Sequence, residues 1–420
     1  MRLRKEWWGI LLLVILFWPT KQANALPSWG RKYNADCSMC HTMIPQLNHV
    51  GHKFRRLGYR MPDEFDKGSA EMSADDLTKF ANYFAARGRA RVTDALKSGT
   101  KSAFNFELHD VTLFYAGPVS RNLGFFFELP FEPETGSSEP GKGELEVAQI
   151  NLTFGNDAEH VFFSRVGQFH QFSRVGFGGL DRPIGLSNAR MFEVRVNGFR
   201  PRHDGLGVEA GYSAHNVTGL VQVTNGIKAA GGSVLDNSDE NNDKDLALLL
   251  EYVAPDTDAS VTALYVYGRA PAPVNDKGAT LAGSKPTRYN RAYLFADTTI
   301  ESLGLRPLVG GGIGFDNQFV SGLGKSSAAL VSASSSRSWF GFLELDQKLK
   351  DQLYALARFD YDDVTNQAEA SAATQKTWQG SGGVVYSFQK YLRLAAEYNV
   401  THTQGVANAH KVTGEMQFNF

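Results

Sequence analysis

Cysteine is nearly absent from this chain: 2 residues among 420, at positions 37 and 40. Two thiols allow at most one disulfide, and a bridge across three positions closes too small a loop to stabilise a fold. Net charge is −1, so no field of one sign points to nucleic acid or an anionic surface. Proline is scarce at 15, and beyond Trp18 no apolar run of 18 residues occurs, which excludes a membrane-crossing helix there. What is plentiful is glycine, 42 residues against a usual share of about 7%. Aromatic side chains are also abundant at 12%.

The first residues, "MRLRKEWWGILLLVILFWPTKQANA", do hold one apolar run. Arg2, Arg4 and Lys5 precede it, it extends from Trp7 to Trp18, and Ala23-Asn24-Ala25 follows. A run this short cannot span a bilayer, which needs about 20 residues. The pattern is that of a secretory signal over residues 1–25, cut after Ala25. The mature chain is therefore expected to be exported.

The C-terminal segment "KVTGEMQFNF" alternates strictly. Val412, Gly414, Met416, Phe418 and Phe420 fall on one face, and Lys411, Thr413, Glu415, Gln417 and Asn419 on the other. The segment before it repeats the pattern, with Leu392, Leu394, Ala396, Tyr398 and Val400 set against Arg393, Glu397, Asn399 and Thr401. Alternating stretches of about ten residues, apolar out and polar in, mark an outer-membrane β-barrel. Short turns fall at "AGPVSRN", "GNDAEH", "RPRHDG", "APDTD", "ESLGLRP", "KLKDQ" and "SFQKY". Long polar connections fall around 94–103, 133–144, 171–189, 227–244, 270–288, 317–336, 364–375 and 402–409. Seven plus eight connections, alternating without a break, predict sixteen antiparallel strands, with 206–226 read as one long strand. The fold class is all-β, a transmembrane barrel over 81–420 with both termini in the periplasm or the lumen. Its lipid-facing surface makes outer-membrane lipid a partner.

The two cysteines belong to Cys37-Ser38-Met39-Cys40-His41, the attachment signature of c-type haem. Two thiols one turn apart reach the vinyl groups on one porphyrin edge, and His41 then offers its imidazole to the iron. A thioredoxin-like redox pair would need a βαβ setting, and zinc about four ligands, with only His41, His49 and His52 nearby. Ile44, Leu47, Val50, Phe54 and Leu57 share one side of a helix expected from Ile44 to Leu57, stopped at Gly58. On it His49, Lys53 and Arg56 point away from the apolar side, and His52 lies between the faces. Met61, in "GYRMPDE", is the first candidate for the opposite iron ligand and His52 the alternative, ahead of His49 or an open position. This monohaem segment, 26–80, is too small for an independent core, and the inside of the barrel is the surface expected to complete it.

Leader, single haem motif and sixteen-stranded barrel together resemble the fused monohaem cytochrome c–porin family of outer-membrane iron oxidases from iron-oxidising bacteria. The matching residues are "ALP" at 25–27, Arg31, Cys37, Cys40, His41 with Thr42, and "PQLN…F…GYRMP". Where that family carries Phe-Ala-Arg-Gln before the motif, this chain has Trp29-Gly30-Arg31-Lys32. The resemblance implies one covalent haem c, Fe(II) as donor, a periplasmic c-type cytochrome as acceptor, and iron:cytochrome c oxidoreductase activity in a Gram-negative outer membrane. Export of electrons to an extracellular acceptor is one alternative. A diffusion porin with a haem plug or redox sensor is another.

Lesser signals have plainer readings. The loop "LDNSDENNDKD" at 235–245 lacks the spacing of a defined metal loop and reads as a solvated acidic loop. Arg87, Arg89 and Arg91 share one face of the first strand, where they could meet haem propionates or simply line a polar lumen. Glu193, Arg195, Arg393 and Glu397 read as further lumen residues.

Overall fold

A computed structural model describes residues 27–67, 82–97, 103–131, 147–170, 184–193, 204–226, 244–270, 286–317, 319–321, 330–332, 335–366, 375–388 and 391–419. The leader, most of the acidic loop, Arg195 and Phe420 lie outside them. Sixteen antiparallel strands, from Phe84–Lys97 to Ala409–Asn419, close into one barrel, and the last pairs with the first. Period-2 alternation builds the wall: in Asp245–Val253, Leu246, Leu248, Leu250 and Tyr252 face outward while Ala247, Leu249 and Glu251 are buried. Phe106, 73% exposed, and Leu294, 57% exposed, belong to the same outer apolar surface, which suits lipid. The two C-terminal segments alternate as the sequence predicts, with Glu397 and Glu415 buried inside and Tyr398 and Met416 outside.

The strand count holds, but one stretch reaches it by a different route. Residues 206–226 are not a single strand. Asp204–Ala214 and Val217–Thr224 form a hairpin around His215 and Asn216. His215 takes the left-handed conformation, φ 49°, which lets two residues reverse the chain. The strand His160–His170 pairs directly with Asp204–Ala214, and α4, Arg190–Glu193, lies where a strand was expected; most of "RPRHDG" falls outside the described residues. One strand lost and one gained leave the total at sixteen.

The lumen also departs from a uniformly polar interior. Phe163, Leu249, Val266, Tyr293, Phe295 and Phe342 point inward and are buried. Two inserted segments cover them. The N-terminal plug consists of α1 (Pro27–Tyr33), a 3₁₀ turn (Cys37–Met39), a short ladder of His41–Met43 with Gln46–Leu47, α2 (His49–Arg56) and α3 (Pro62–Lys67). The second segment, 184–193, is a strap from the long connection between His170 and Asp204. Leu57 and Phe65 of the plug and Met191 and Phe192 of the strap join the same apolar cluster as the wall. The plug touches residues of short turns, including Ala158, Glu159 and Asp258, and so occupies the short-turn end.

Helix α2 begins at His49, not Ile44. Asn48 caps it by accepting from the Gly51 amide at 3.0 Å, and Gln46 and Leu47 are taken up by the ladder. It ends at the predicted place, with Gly58 at φ 67°.

Candidate functional site

Asn48 does more than cap a helix. Its side-chain amide donates to the carbonyls of Ser38 (3.2 Å) and Met39 (3.1 Å), and its backbone amide to that of Cys40. The cysteine turn is thereby tied to the start of α2. Gly51 is required at this junction, because a Cβ there would stand 2.3 Å from the Cys40 carbonyl oxygen. Cys37 and Cys40 are not joined in a disulfide; Cys37 is buried, and burial pushes the Cys40 thiol up to about 11.

The His41 ring is fixed from one side. Its Nδ1 lies 3.1 Å from the Pro45 carbonyl oxygen and 3.2 Å from that of Gln46. Two acceptors at Nδ1 select the tautomer protonated there and leave the lone pair on Nε2. Burial holds the imidazole down to about 4, so it is neutral at ordinary pH. Two reduced thiols on one turn and a neutral imidazole anchored through its far nitrogen are a donor set that fits c-type haem.

The two candidates for the opposite ligand have different settings. His52 is buried on α2, its Nδ1 has no hydrogen-bond partner among the described residues, and the Glu251 carboxylate lies 3.8 Å away. Burial first, then Arg56, Arg55 and Arg306, hold it well below the usual histidine range. Met61 stands at the entry to α3, half-buried, its amide 3.3 Å from Glu64 Oε2. No described contact joins either residue to His41. His49, expected to be solvated, instead bonds Asp258 at 2.9 Å.

The wall grips the plug through charge. Arg56, expected on an outward-pointing face, is buried against Glu251, and Lys53 pairs with Glu159 at the rim. Arg60 is fully buried, donating to Thr153 Oγ1 at 2.9 Å and to the Leu123 carbonyl at 2.9 Å. Trp29 stacks on Tyr59 with ring centroids 5.1 Å apart, and Phe126 of the wall lies 5.5 Å beyond Tyr59. The lumen thus completes a core that the plug is too short to build.

The strap is held otherwise. Glu397 accepts from the amides of Leu186 and Ser187, Asp360 from the Arg190 amide at 2.9 Å, and Arg393 donates to the Ile184 carbonyl. Glu193 sits at the end of α4, on the strap instead of the wall. The arginine ladder faces the lumen but meets wall carboxylates: Arg87 and Arg89 pair with Asp110, and Arg91 with Glu415. Sequence reading gave no individual role to Gln46, Asn48 and Arg60, quoted only within the matching "PQLN" and "GYRMP", and did not name Arg306 or Asp346. Only Asn48 carried a signal, as a capping residue before an apolar-periodic stretch.

No protein-family model matches the chain, and no curated protein matches it. Solved structures do. Pseudomonas putida OprB aligns at TM-score 0.57 and 9% identity over 82% of this chain and 96% of its own. The outer membrane channel DcaP of Acinetobacter baumannii aligns at 0.55 and 12%, over 80% and 96%. The anion-selective porin from Comamonas acidovorans aligns at 0.52 and 11%, over 80% and 98%. At such identities the likeness is one of fold: this chain has the closed barrel of outer-membrane porins.

Proposed function

We propose that the chain is an outer-membrane electron conduit, in which haem c held by Cys37, Cys40 and His41 takes electrons from extracellular Fe(II) for a periplasmic c-type cytochrome. The observation that carries this reading is the seating of the cysteine–histidine motif inside a barrel, with His41 anchored at Nδ1. Haem c supplies single-electron exchange. The thiols of Cys37 and Cys40 would hold the group covalently, Nε2 of His41 would ligate its iron, and Met61 or His52 would supply a second ligand. With short turns on the periplasmic side, as in bacterial barrels, the motif lies near that face and within reach of a periplasmic protein. The hydrocarbon layer is about 30 Å thick, so a donor from outside has to travel down the lumen. Fe(II) is small enough to do so.

A second reading, a diffusion porin whose plug senses redox state or closes the pore, is favoured by the likeness to channel proteins. Anaerobic addition of Fe(II) to the oxidised protein in detergent separates them. Rapid appearance of ferrocytochrome bands is expected. Reduction by dithionite but not by Fe(II) would indicate an outward conduit or another donor, and solute flux without electron exchange would leave the porin. Absence of haem bands would remove the redox reading altogether. Met61→Ala is expected to shift the haem spectrum; an unchanged spectrum transfers the role to His52.

A further inference from the structure

The strip that carries His41 is clamped by the barrel wall on both sides. Arg306 and Asp346 are direct cross-strand partners in the neighbouring strands Leu305–Asp316 and Ser336–Lys350, and both point into the lumen. Arg306, held by Asp297 through Nε at 2.8 Å, contacts the Thr42 hydroxyl. Asp346 accepts from the side chain of Gln46 at 2.8 Å, and both residues are wholly buried. Gln46 is also one of the two residues whose carbonyls receive the His41 Nδ1–H, at 3.2 Å. One residue therefore holds the imidazole with its backbone and the wall with its side chain.

Partners of this kind orient a ligating histidine and raise its basicity, and their loss costs about 10–100-fold in affinity or activity in metal sites. Here that partner is the Gln46 carbonyl, and Gln46 is held in turn by Asp346, 300 residues away on the barrel. A carbonyl held firmly against Nδ1–H gives the imidazole more anionic character, which favours ferric over ferrous iron. A carbonyl set loose does the reverse.

We propose that Asp346 is a positioning residue for His41: by anchoring Gln46 it lets the barrel wall set the electron affinity of the haem. The inference rests on the haem reading above. Its test is a redox titration of the full-length protein in detergent, with haem content measured first and the barrel checked by the altered gel migration of unheated samples.

Asp346→Leu removes the acceptor and is expected to raise the ferrous-to-ferric ratio at a fixed poise about tenfold, which is about 59 mV for one electron. Asp346→Asn keeps an acceptor for Gln46 and is expected to stay near the parent potential. Gln46→Leu cuts the same bond from the plug side and covers the case in which Asp346→Leu does not fold; it should match the Leu variant. Asp316→Asn, at the opposite end of the strand that carries Arg306 and paired there with Arg291, should leave the potential unchanged. Loaded, folded Leu variants with the parent potential would overturn the proposal. So would equal shifts in Asp346→Leu and Asp346→Asn, since those would reflect charge alone. A parent protein without haem would instead overturn the reading beneath it.

Discussion

The plug and the strap fill the same lumen by opposite means. The plug brings cationic side chains, Lys53, Arg56 and Arg60, to carboxylates, hydroxyls and carbonyls of the wall. The strap brings mostly its backbone: the amides of Leu186, Ser187 and Arg190 go to wall carboxylates, and the carbonyls of Ile184 and Ser187 accept from wall arginines. Side-chain recognition depends on which residues the plug carries. Backbone recognition depends on where the strap runs and tolerates change at residues such as Leu186, whereas Ser187, Arg190, Met191 and Phe192 also engage the wall through their side chains. The plug should therefore be sensitive to its own mutations and the strap to mutations of the wall.

The largest effect is expected from Arg56→Met, which takes a charge partner from the buried Glu251 carboxylate at a cost of about 3–5 kcal/mol. Denaturant titration of plug tryptophan fluorescence, through Trp29, would register it. The double variant Arg56→Met/Glu251→Leu should recover most of the loss, and a double variant as weak as the single one would show that the pair was not the cause. An intermediate effect is expected from Glu397→Gln, since charge-assisted bonds to the Leu186 and Ser187 amides are worth about 1.5–3 kcal/mol. Protease nicking within 184–193 should increase while the plug remains seated. Leu186→Ala on the strap itself should leave nicking near the parent level, and an equal rise there would break the contrast. The smallest effect is expected from Lys53→Ala. Its partner Glu159 is 46% exposed, so solvent and salt screen the pair to about 0.2–1 kcal/mol, and 1 M salt should erase the difference.

The same contrast explains what could be read in advance. The wall was legible because period-2 alternation is a property of each strand alone, and the haem motif because its spacing is local. The hairpin at 204–224 was missed because its turn, His215-Asn216, lacks glycine and proline. A subtler sign was present: outward residues are even-numbered through Tyr212 and odd-numbered from Val217, a change of phase that one strand cannot make. The strap was misread for a physical reason. "ARMFEVRV" alternates like a strand, yet Met191 and Phe192 find their burial against Phe295 and Phe342, inside the barrel instead of in its wall. Inward Leu249, Tyr293 and Phe342 made their strands apolar on both faces, which was a readable sign that something covers the inner side. The pairing of Gln46 with Asp346 had no sequence signal, because nothing local relates residues so far apart.

Met43 of the plug and Ile184 of the strap meet at Leu356, with Tyr354 packed beside them. Two segments that enter the barrel by different routes thus end on one shared contact, two residues past the motif in one case and at the foot of the strap in the other. A substitution at Leu356 therefore reaches both segments at once, the strip next to His41 and the start of the strap.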